Sequence, residues 1–429
     1  MVTMSFTSIE DILEGRCVDE HVNVRGWVYR KRASKNTIFI ILRDATGIIQ
    51  CIIKRESPAW VDAERVTIES SVTLSGTVKT DERAPGGYEL SADEFKIVGL
   101  AETFPITKDQ STEFLRDVRH LWLRSRKLTT IMKVRSKTLR FIDDFFRVRS
   151  FVEVSPPMFI SSACEGGATL FGLKYFDRDL YLTQSAQLHL EAQIYALEKV
   201  YCVAPSFRAE KSRTIRHLTE YWHAEAEEAF TTIDDMMCLE EDLVSHVCQN
   251  VAEKCRKELK ALKVDPRELA KIGPPFTRIT YDEAIEWLHK GGSKITWGED
   301  FGFNDEKALA AEFGPLFVYA YPREIKAFYC KAYRENPKLV MSVDLIVPRI
   351  GELATGGARI DDKKELIERM EEFDLRREDY DWYIDLRKYG TVPHTGFGLG
   401  VERLLAWMLH LENIMETIPF PRTVRRSYP

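Results

Sequence analysis

The chain has little that would tie it to a membrane, a metal–thiolate centre or a disulfide scaffold. Its eight cysteines are scattered over 429 residues. They form no CxxC pair and no Cys/His set at zinc spacing. Cys248 and Cys255 fall on the apolar face of an expected helix, where thiols serve as core. This usage points to a reducing compartment. No apolar run approaches a membrane span, and the first residues lack the basic start and apolar block of a signal peptide. A cytoplasmic protein with no membrane partner is therefore expected. Positive charge is not in excess either: 61 Lys and Arg face 67 Asp and Glu, a net −6. Any contact with nucleic acid must then be local. What remains is an ordinary soluble composition, 44% apolar and 30% charged, long enough for about two or three domains around a large core.

Residues 22–99 read as about five short strands, VNVRGWVY, TIFIILRD, IIQCIIK, VTLSGTVK and YELSADEFKIV, separated by turn signals such as ATG and APGG. Five strands in so short a stretch suggest a small closed barrel of the OB type. The run RKRASK is placed in the first hairpin loop, near Phe39 and Gln50. Such barrels hold single strands on a face of aromatics and cations, but for a barrel taken alone the plainer reading is favoured, with Phe39 as barrel core and RKRASK as a solvated loop. Residues 1–103 form this domain. Residues 104–128, with Pro105, scattered charges and little periodicity, read as a hinge.

The second domain spans 129–429. It opens on an amphipathic helix with Leu139, Ile142 and Phe146 on one face. A strand, FVEV, follows and is ended by Pro156 and Pro157, which suits a sheet edge. In SSACEGGATLF, Glu165 precedes two glycines, so its carboxylate could meet a ligand closely or merely enter a turn. In LTQSAQLHLEA, Gln184, Ser185 and Gln187 stand before a helix, with Ser185 as its cap. Residues 231–310 read as an insertion, led by a helix over 234–259 with Leu243, Val247 and Val251 inward. Strands FYCKAY and SVDLIVP then lead into GELATGGARI. Asp344 and Glu352 fall on opposite strands of a hairpin, with Thr355 and Arg359 near a glycine turn. Two carboxylates near phosphate suit magnesium, which takes few protein ligands. The final HTGFGLGVERLLAWMLHL is a Gly-punctuated strand and a helix, without the context of a dinucleotide fingerprint. Arg403 at that helix start reads as a ligand-facing cation or a structural salt bridge.

The densest stretch is FRAEKSRTIRHLTEYWHAEAE, residues 207–227. It interleaves Arg208, Arg213, Arg216, Lys211 and His217 with Glu210, Glu220, Glu225, Glu227 and aromatic rings. Alternation after His217 fits a strand, so acids and bases share one space. A polar hairpin stitched by salt bridges is one reading. A site for a polyphosphate, a carboxylate and an aromatic base is the other.

The ordered patterns FVEVSPP, FRAE with RHLTEYWHAEAE, and GFGLGVERL resemble the three signature motifs of class II aminoacyl-tRNA synthetases. KTDERAPGG, QSAQL and IPFPRTVRRSYP extend the resemblance to the aspartyl and asparaginyl subgroup over nearly the whole chain. It implies an α+β protein, an OB-type anticodon-binding barrel followed by an antiparallel catalytic sheet flanked by helices. It implies ATP and L-asparagine as substrates, tRNA(Asn) as partner, Mg2+ as cofactor, and a homodimer with Pro156 at its interface. Arg208 would bridge the α-phosphate and the amino-acid carboxylate, and Glu210 would accept from the adenine amino group. Tyr221 and Arg403 would flank adenine, and Arg216, His217 and Arg403 would meet the γ-phosphate. Glu165 and Gln187, with Ser185 nearby, would hold the α-amino group. Glu352, Thr355 and Asp344 would hold magnesium. In the barrel, Phe39 would stack on the middle anticodon uridine, with Gln50 and Arg32 at its edge.

Two positions separate the subgroup's branches. Aspartyl enzymes carry a lysine where this chain has Leu190 and an aspartate where it has Glu225. A carboxamide offers NH2 donors and a carbonyl acceptor, which Glu225 and Arg359 would meet. An aspartate would set its carboxylate against Glu225. An asparagine–tRNA ligase activity is therefore expected. An aspartyl enzyme, one charging both tRNAs, an ATP-dependent asparagine synthetase and a non-catalytic RNA-binding paralogue stand as alternatives. The chain departs from the pattern at Thr355, where serine or glycine is frequent, at His189, where an aromatic ring is usual, and at Val424, where proline is frequent.

Overall fold

Alternation of β-branched residues with polar ones builds the first unit. In β2 (Thr37–Arg43) and β3 (Ile48–Lys54), Ile38, Ile40, Leu42, Ile49, Cys51 and Ile53 are fully buried, while the residues between them face outward. With β1 (His21–Ala33), β4 (Ser71–Thr80) and β5 (Tyr88–Gly99) they close a barrel of order β1-β2-β3-β5-β4. The pair β3–β5 is parallel and the other pairs are antiparallel. The structure, a computed structural model, describes residues 5–162, 164, 169–211 and 217–429. It divides into two units, Met1–Thr112 and Glu113–Pro429.

The run RKRASK departs from the expected loop. β1 continues through Ala33, so Arg30, Lys31 and Arg32 are strand residues and only 34–36 turn. Lys31 explains the extension: its Nζ donates to the carbonyls of Glu64 and Val66 at 2.5 and 2.9 Å. These lie at the C-terminal end of the helix Trp60–Arg65, where a cation is favoured.

In the second unit an eight-stranded sheet runs in the order β12-β13-β14-β15-β16-β11-β10-β6. Its strands are β6 (Val152–Glu153), β10 (Lys199–Phe207), β11 (Glu220–Ala229), β12 (Thr277–Thr280), β13 (Leu316–Pro322), β14 (Leu339–Val347), β15 (Gly351–Ala358) and β16 (His394–Gly400). Only the two edge strands, β6 and β12, pair parallel to their neighbours. A small antiparallel sheet of β7 (Phe159–Ile160), β8 (Gly172–Tyr175) and β9 (Arg178–Leu182) stands apart. The helix Arg126–Val148 is capped by Ser125 and buries Leu128, Ile131, Val134, Phe141 and Phe145 in the main core.

Four local expectations are revised. The later part of the stretch read as hinge, 113–128, belongs to the second unit and carries two short helices, Thr112–Asp117 and Arg119–Trp122. Buried Arg119 ties it down, donating to the carbonyls of Pro419, Met415 and Ile418. The helix expected over 234–259 is two, Ile233–Lys254 and Arg256–Leu262, parted where Cys255 leaves helical geometry at φ −118° and ψ 27°. Leu243, Val247 and Val251 lie in the main core, and β12 extends the sheet, so the 231–310 stretch is woven into the domain. FYCKAY makes only isolated bridges, Cys330 with Arg359 and Ala332 with Val340. The strand beside β14 is instead LFVYAYP.

Candidate active site

The cleft lies on the sheet face where β11, β15 and β16 run side by side. On β11, Glu225 and Glu227 are two residues apart and share a face. Their cross-strand partners on β16 are Gly398 and Gly396. Gly396 makes room for Glu227, since a Cβ there would lie 2.1 Å from its carboxyl; a Cβ on Gly398 would only touch the Glu225 side chain, at 3.5 Å. Phe397 and Leu399, of opposite parity, join the core.

The cavity has a volume of about 470 Å³. It gathers most of the residues expected from sequence. Tyr221 lines it from β11, and Arg208, Glu210 and His217 do so from the segment between β10 and β11. Glu352, Thr355 and Arg359 do so from β15 and its end, and Arg403 from the helix Val401–Met408. Ser185, Gln187 and Glu225 complete the set. Glu165 and Arg216 lie outside the described residues. Asp344 does not line the cavity. It sits one strand over, opposite Thr355, and its carboxylate takes a 2.6 Å bond from Lys326 Nζ, which does line it.

Several side chains are held by partners that sequence reasoning missed. Arg359 NH2 donates to Glu227 Oε1 at 2.5 Å, and the pair is almost wholly buried. Arg359 therefore faces Glu227 as well as the cleft. Glu225 itself accepts from the Ser185 hydroxyl and, at 2.8 Å, from the Ala186 N–H. Ser185 is not the geometric cap of the helix Gln187–Leu197, a place taken by Ala186, but its Oγ accepts the Gln187 N–H at 3.1 Å. Arg403 donates to the Glu352 carboxylate at 2.9 Å and to its carbonyl at 2.8 Å, a structural bridge, and it lines the cleft. Leu190 is fully buried in an apolar cluster with Ile194, Val200 and Cys202.

Charge is unevenly balanced across the cleft. Burial pushes the Glu352 carboxyl up, but Arg403, Lys326 and Arg208 outweigh it and bring the group down to about 2. Burial, with Arg208 and Arg403 nearby, drives the His223 imidazole down to about 3. His223 lines the cavity as a neutral ring, edge-on to Tyr221 at 4.8 Å between centroids. Burial works against the Lys326 ammonium, yet Asp344 and Asp300 hold it above the ordinary lysine range. Lys326, Glu227 and His223 were not singled out as site residues from sequence. For Lys326 no signal existed, because its place depends on a turn far along the chain from β11. For Glu227 and His223 the strand alternation through Glu225 was signal enough.

The arrangement offers cations and a flat ring at one end, and a carboxylate with a guanidinium at the other. The barrel presents a second candidate surface. Phe39 is half-buried on the outer face rather than core, opposite exposed Arg32 in the β1–β2 register, and Gln50 stands on the next strand, hydrogen-bonded to Glu89 at 3.2 Å.

Residues 111–424 match the family model described as tRNA synthetases class II (D, K and N), and residues 22–98 match that of the OB-fold nucleic acid binding domain. The asparagine–tRNA ligase of Thermococcus gammatolerans is 49% identical over 414 residues, 96% of each chain. That of Thermoplasma acidophilum is 47% identical over 427 residues, 98% of this chain and all of the relative. Among solved structures, asparaginyl-tRNA synthetase from Pyrococcus horikoshii complexed with asparaginyl-adenylate superposes with a TM-score of 0.96 at 43% identity, covering both chains completely. The Entamoeba histolytica asparaginyl-tRNA synthetase in complex with asparaginyl-adenylate gives 0.88 at 33% identity, over 96% of this chain and 97% of that one.

Proposed function

The chain belongs to the class II tRNA synthetases, among the asparagine–tRNA ligases, and from that premise we propose how its cleft does the chemistry. Asparagine is activated with ATP and transferred to tRNA(Asn). The asparagine carboxylate attacks the α-phosphate in line, and pyrophosphate leaves. The terminal ribose hydroxyl of the tRNA then attacks the activated carbonyl, and AMP leaves. No side-chain nucleophile is needed, so catalysis rests on positioning and charge. Arg208 bridges the α-phosphate and the carboxylate. Tyr221 and Arg403 flank adenine, and Glu210 accepts from its amino group. His217, Arg216 and Arg403 meet the γ-phosphate. Gln187, Ser185 and Glu165 hold the α-amino group. Glu225 accepts from the side-chain NH2, and Arg359, steadied by Glu227, donates to the side-chain carbonyl.

Mg2+ prefers hard oxygen donors and keeps several waters. Asp344 Oδ1 is buried and accepts no hydrogen bond among the described residues, and Glu352 is held ionised. Among the described residues no cluster of three acidic, His or Cys groups is preassembled, so Glu352, Thr355 and Asp344 would hold the ion together with phosphate oxygens. When bound it supplies positive charge to those oxygens.

Further parts of the reading concern assembly and place. A homodimer would form across the Pro156 region. Its support is the sheet edge at β6, two residues long, where Val152 is 41% exposed, with Val148 at the end of the preceding helix 82% exposed. The anticodon would meet Arg32, Phe39 and Gln50. A cytoplasmic site suits eight cysteines of which none is in a disulfide and the lack of any described helix long and apolar enough to cross a membrane.

The observation that carries the reading is that a single cleft is lined by the cations Arg208 and Arg403 together with Glu225 and Arg359. The test is the amino-acid dependence of ATP–pyrophosphate exchange. Asparagine should support it and aspartate should not; preference for aspartate would overturn the assignment.

A further inference from the structure

Behind the cleft lies a carboxylate that no step above uses. Glu191, on the helix Gln187–Leu197, is fully buried. Its Oε1 accepts from Gln187 Nε2 at 3.0 Å, one helical turn earlier. Its Oε2 accepts from Arg387 NH2 at 2.6 Å, from the Tyr383 hydroxyl at 2.7 Å, and lies 3.0 Å from His394 Nε2. The same partners reach the strand that carries Arg359. Arg387 Nε donates to the Ile360 carbonyl at 2.8 Å, and the Arg359 N–H donates to the His394 carbonyl at 3.0 Å. Arg387 and His394 hold the Glu191 carboxyl well below the usual range despite its burial.

An ionised carboxylate only accepts hydrogen bonds. A glutamine amide facing it must present its NH2, which leaves the carbonyl oxygen as the acceptor Gln187 can offer to the cavity it lines. A carbonyl there suits an ammonium; an NH2 there would repel one. We propose that Glu191 is a positioning residue for amino-acid binding, fixing the Gln187 amide so that its carbonyl receives the substrate α-ammonium while its other oxygen anchors the segment bearing Arg359. This rests on the proposed role of Gln187 at the amino group. Glu191 joins the two ends of amino-acid recognition without touching the ligand, and none of its hydrogen-bond partners is a residue assigned to ATP.

The test is a swap, read by asparagine-dependent pyrophosphate exchange. Glu191→Gln can donate to Gln187 Oε1 and turn the NH2 toward the cleft. The KM for asparagine should rise at least about tenfold, with the KM for ATP within about twofold. The double variant Glu191→Gln with Gln187→Glu restores one acceptor and one donor with the acceptor facing the ammonium, and should recover most of the asparagine KM. Should Glu191→Gln not fold, Gln187→Glu alone decides the matter. Its carboxyl must share a proton with Glu191, so its asparagine KM should approach wild type at mildly acidic pH and climb as pH rises, unlike wild type. An unchanged asparagine KM in folded Glu191→Gln, equal rises in both KM values, no recovery in the swap, or a flat pH profile for Gln187→Glu would overturn the inference. Wild-type protein that shows no exchange with asparagine would instead refute the function on which it rests.

Discussion

Replacing Glu225 by glutamine isolates the charge by which the cleft would tell asparagine from aspartate. The side chain is 5% exposed and pinned by the Ser185 hydroxyl and the Ala186 N–H, so it cannot swing away from a ligand. A substrate carboxylate about 4 Å from it, at an effective dielectric near 20, is repelled by about 4 kcal/mol. Lys326 does not cancel this, because its ammonium is already taken by Asp344 at 2.6 Å. In the variant, the Ala186 N–H claims the amide oxygen, and the NH2 turns to Ser185 and the ligand. Aspartate then loses a repulsion and gains a donor, while asparagine loses a charge-assisted acceptor worth about 1.5–3 kcal/mol. The asparagine-to-aspartate ratio of kcat/KM in pyrophosphate exchange should fall by about a thousandfold or more. A folded variant with a normal KM for ATP and a ratio within about tenfold of wild type would show that Glu225 does not set the choice.

Arg208→Ala should lower asparagine-dependent exchange by at least about a hundredfold, through loss of charge stabilisation at the α-phosphate; near-normal exchange would remove Arg208 from the mechanism. Phe39→Ala should weaken tRNA charging by the ~1–3 kcal/mol of one stacked base while leaving exchange intact, and equal loss of both would contradict separate roles for the barrel and the cleft. His223 makes the fold acid-sensitive. Its imidazole is brought down to about 3 by burial and by Arg208 and Arg403, so below about pH 6.5 the unfolded chain takes up a proton that the folded one refuses. The stability from the neutral ring is complete above that pH and is lost as pH falls toward 3, at up to ~1.4 kcal/mol per unit. Denaturant titrations between about pH 6 and 4 should show a shallower slope for folded His223→Gln than for wild type; identical slopes would refute the assignment.

How far the sequence carries depends on whether a residue's partner is near it along the chain. The barrel was legible because strand alternation is local, and β2 and β3 bury alternate residues as their pattern implies. Glu225 and Arg403 were legible because each sits on an element with a clear period. RKRASK misled because nothing near it in sequence shows that Lys31 meets a helix end more than thirty residues on. FYCKAY misled because its apolar alternation matches a strand, while LFVYAYP, a continuous apolar run, holds the place beside β14 and is mostly buried. The carboxylates divide in the same way. Glu225 stands in a stretch dense with charge, whereas Glu191 looks like a lone acid on a helix that also carries Gln187, His189 and Gln193. Its meaning comes from Arg387 and His394, about two hundred positions away. A charge buried at such separation is costly unless its partners arrive together, so the cluster binds the helix Gln187–Leu197 to β16 and to the helix Asp381–Lys388. Residues that hold a site in place are therefore harder to read than those that face its ligand.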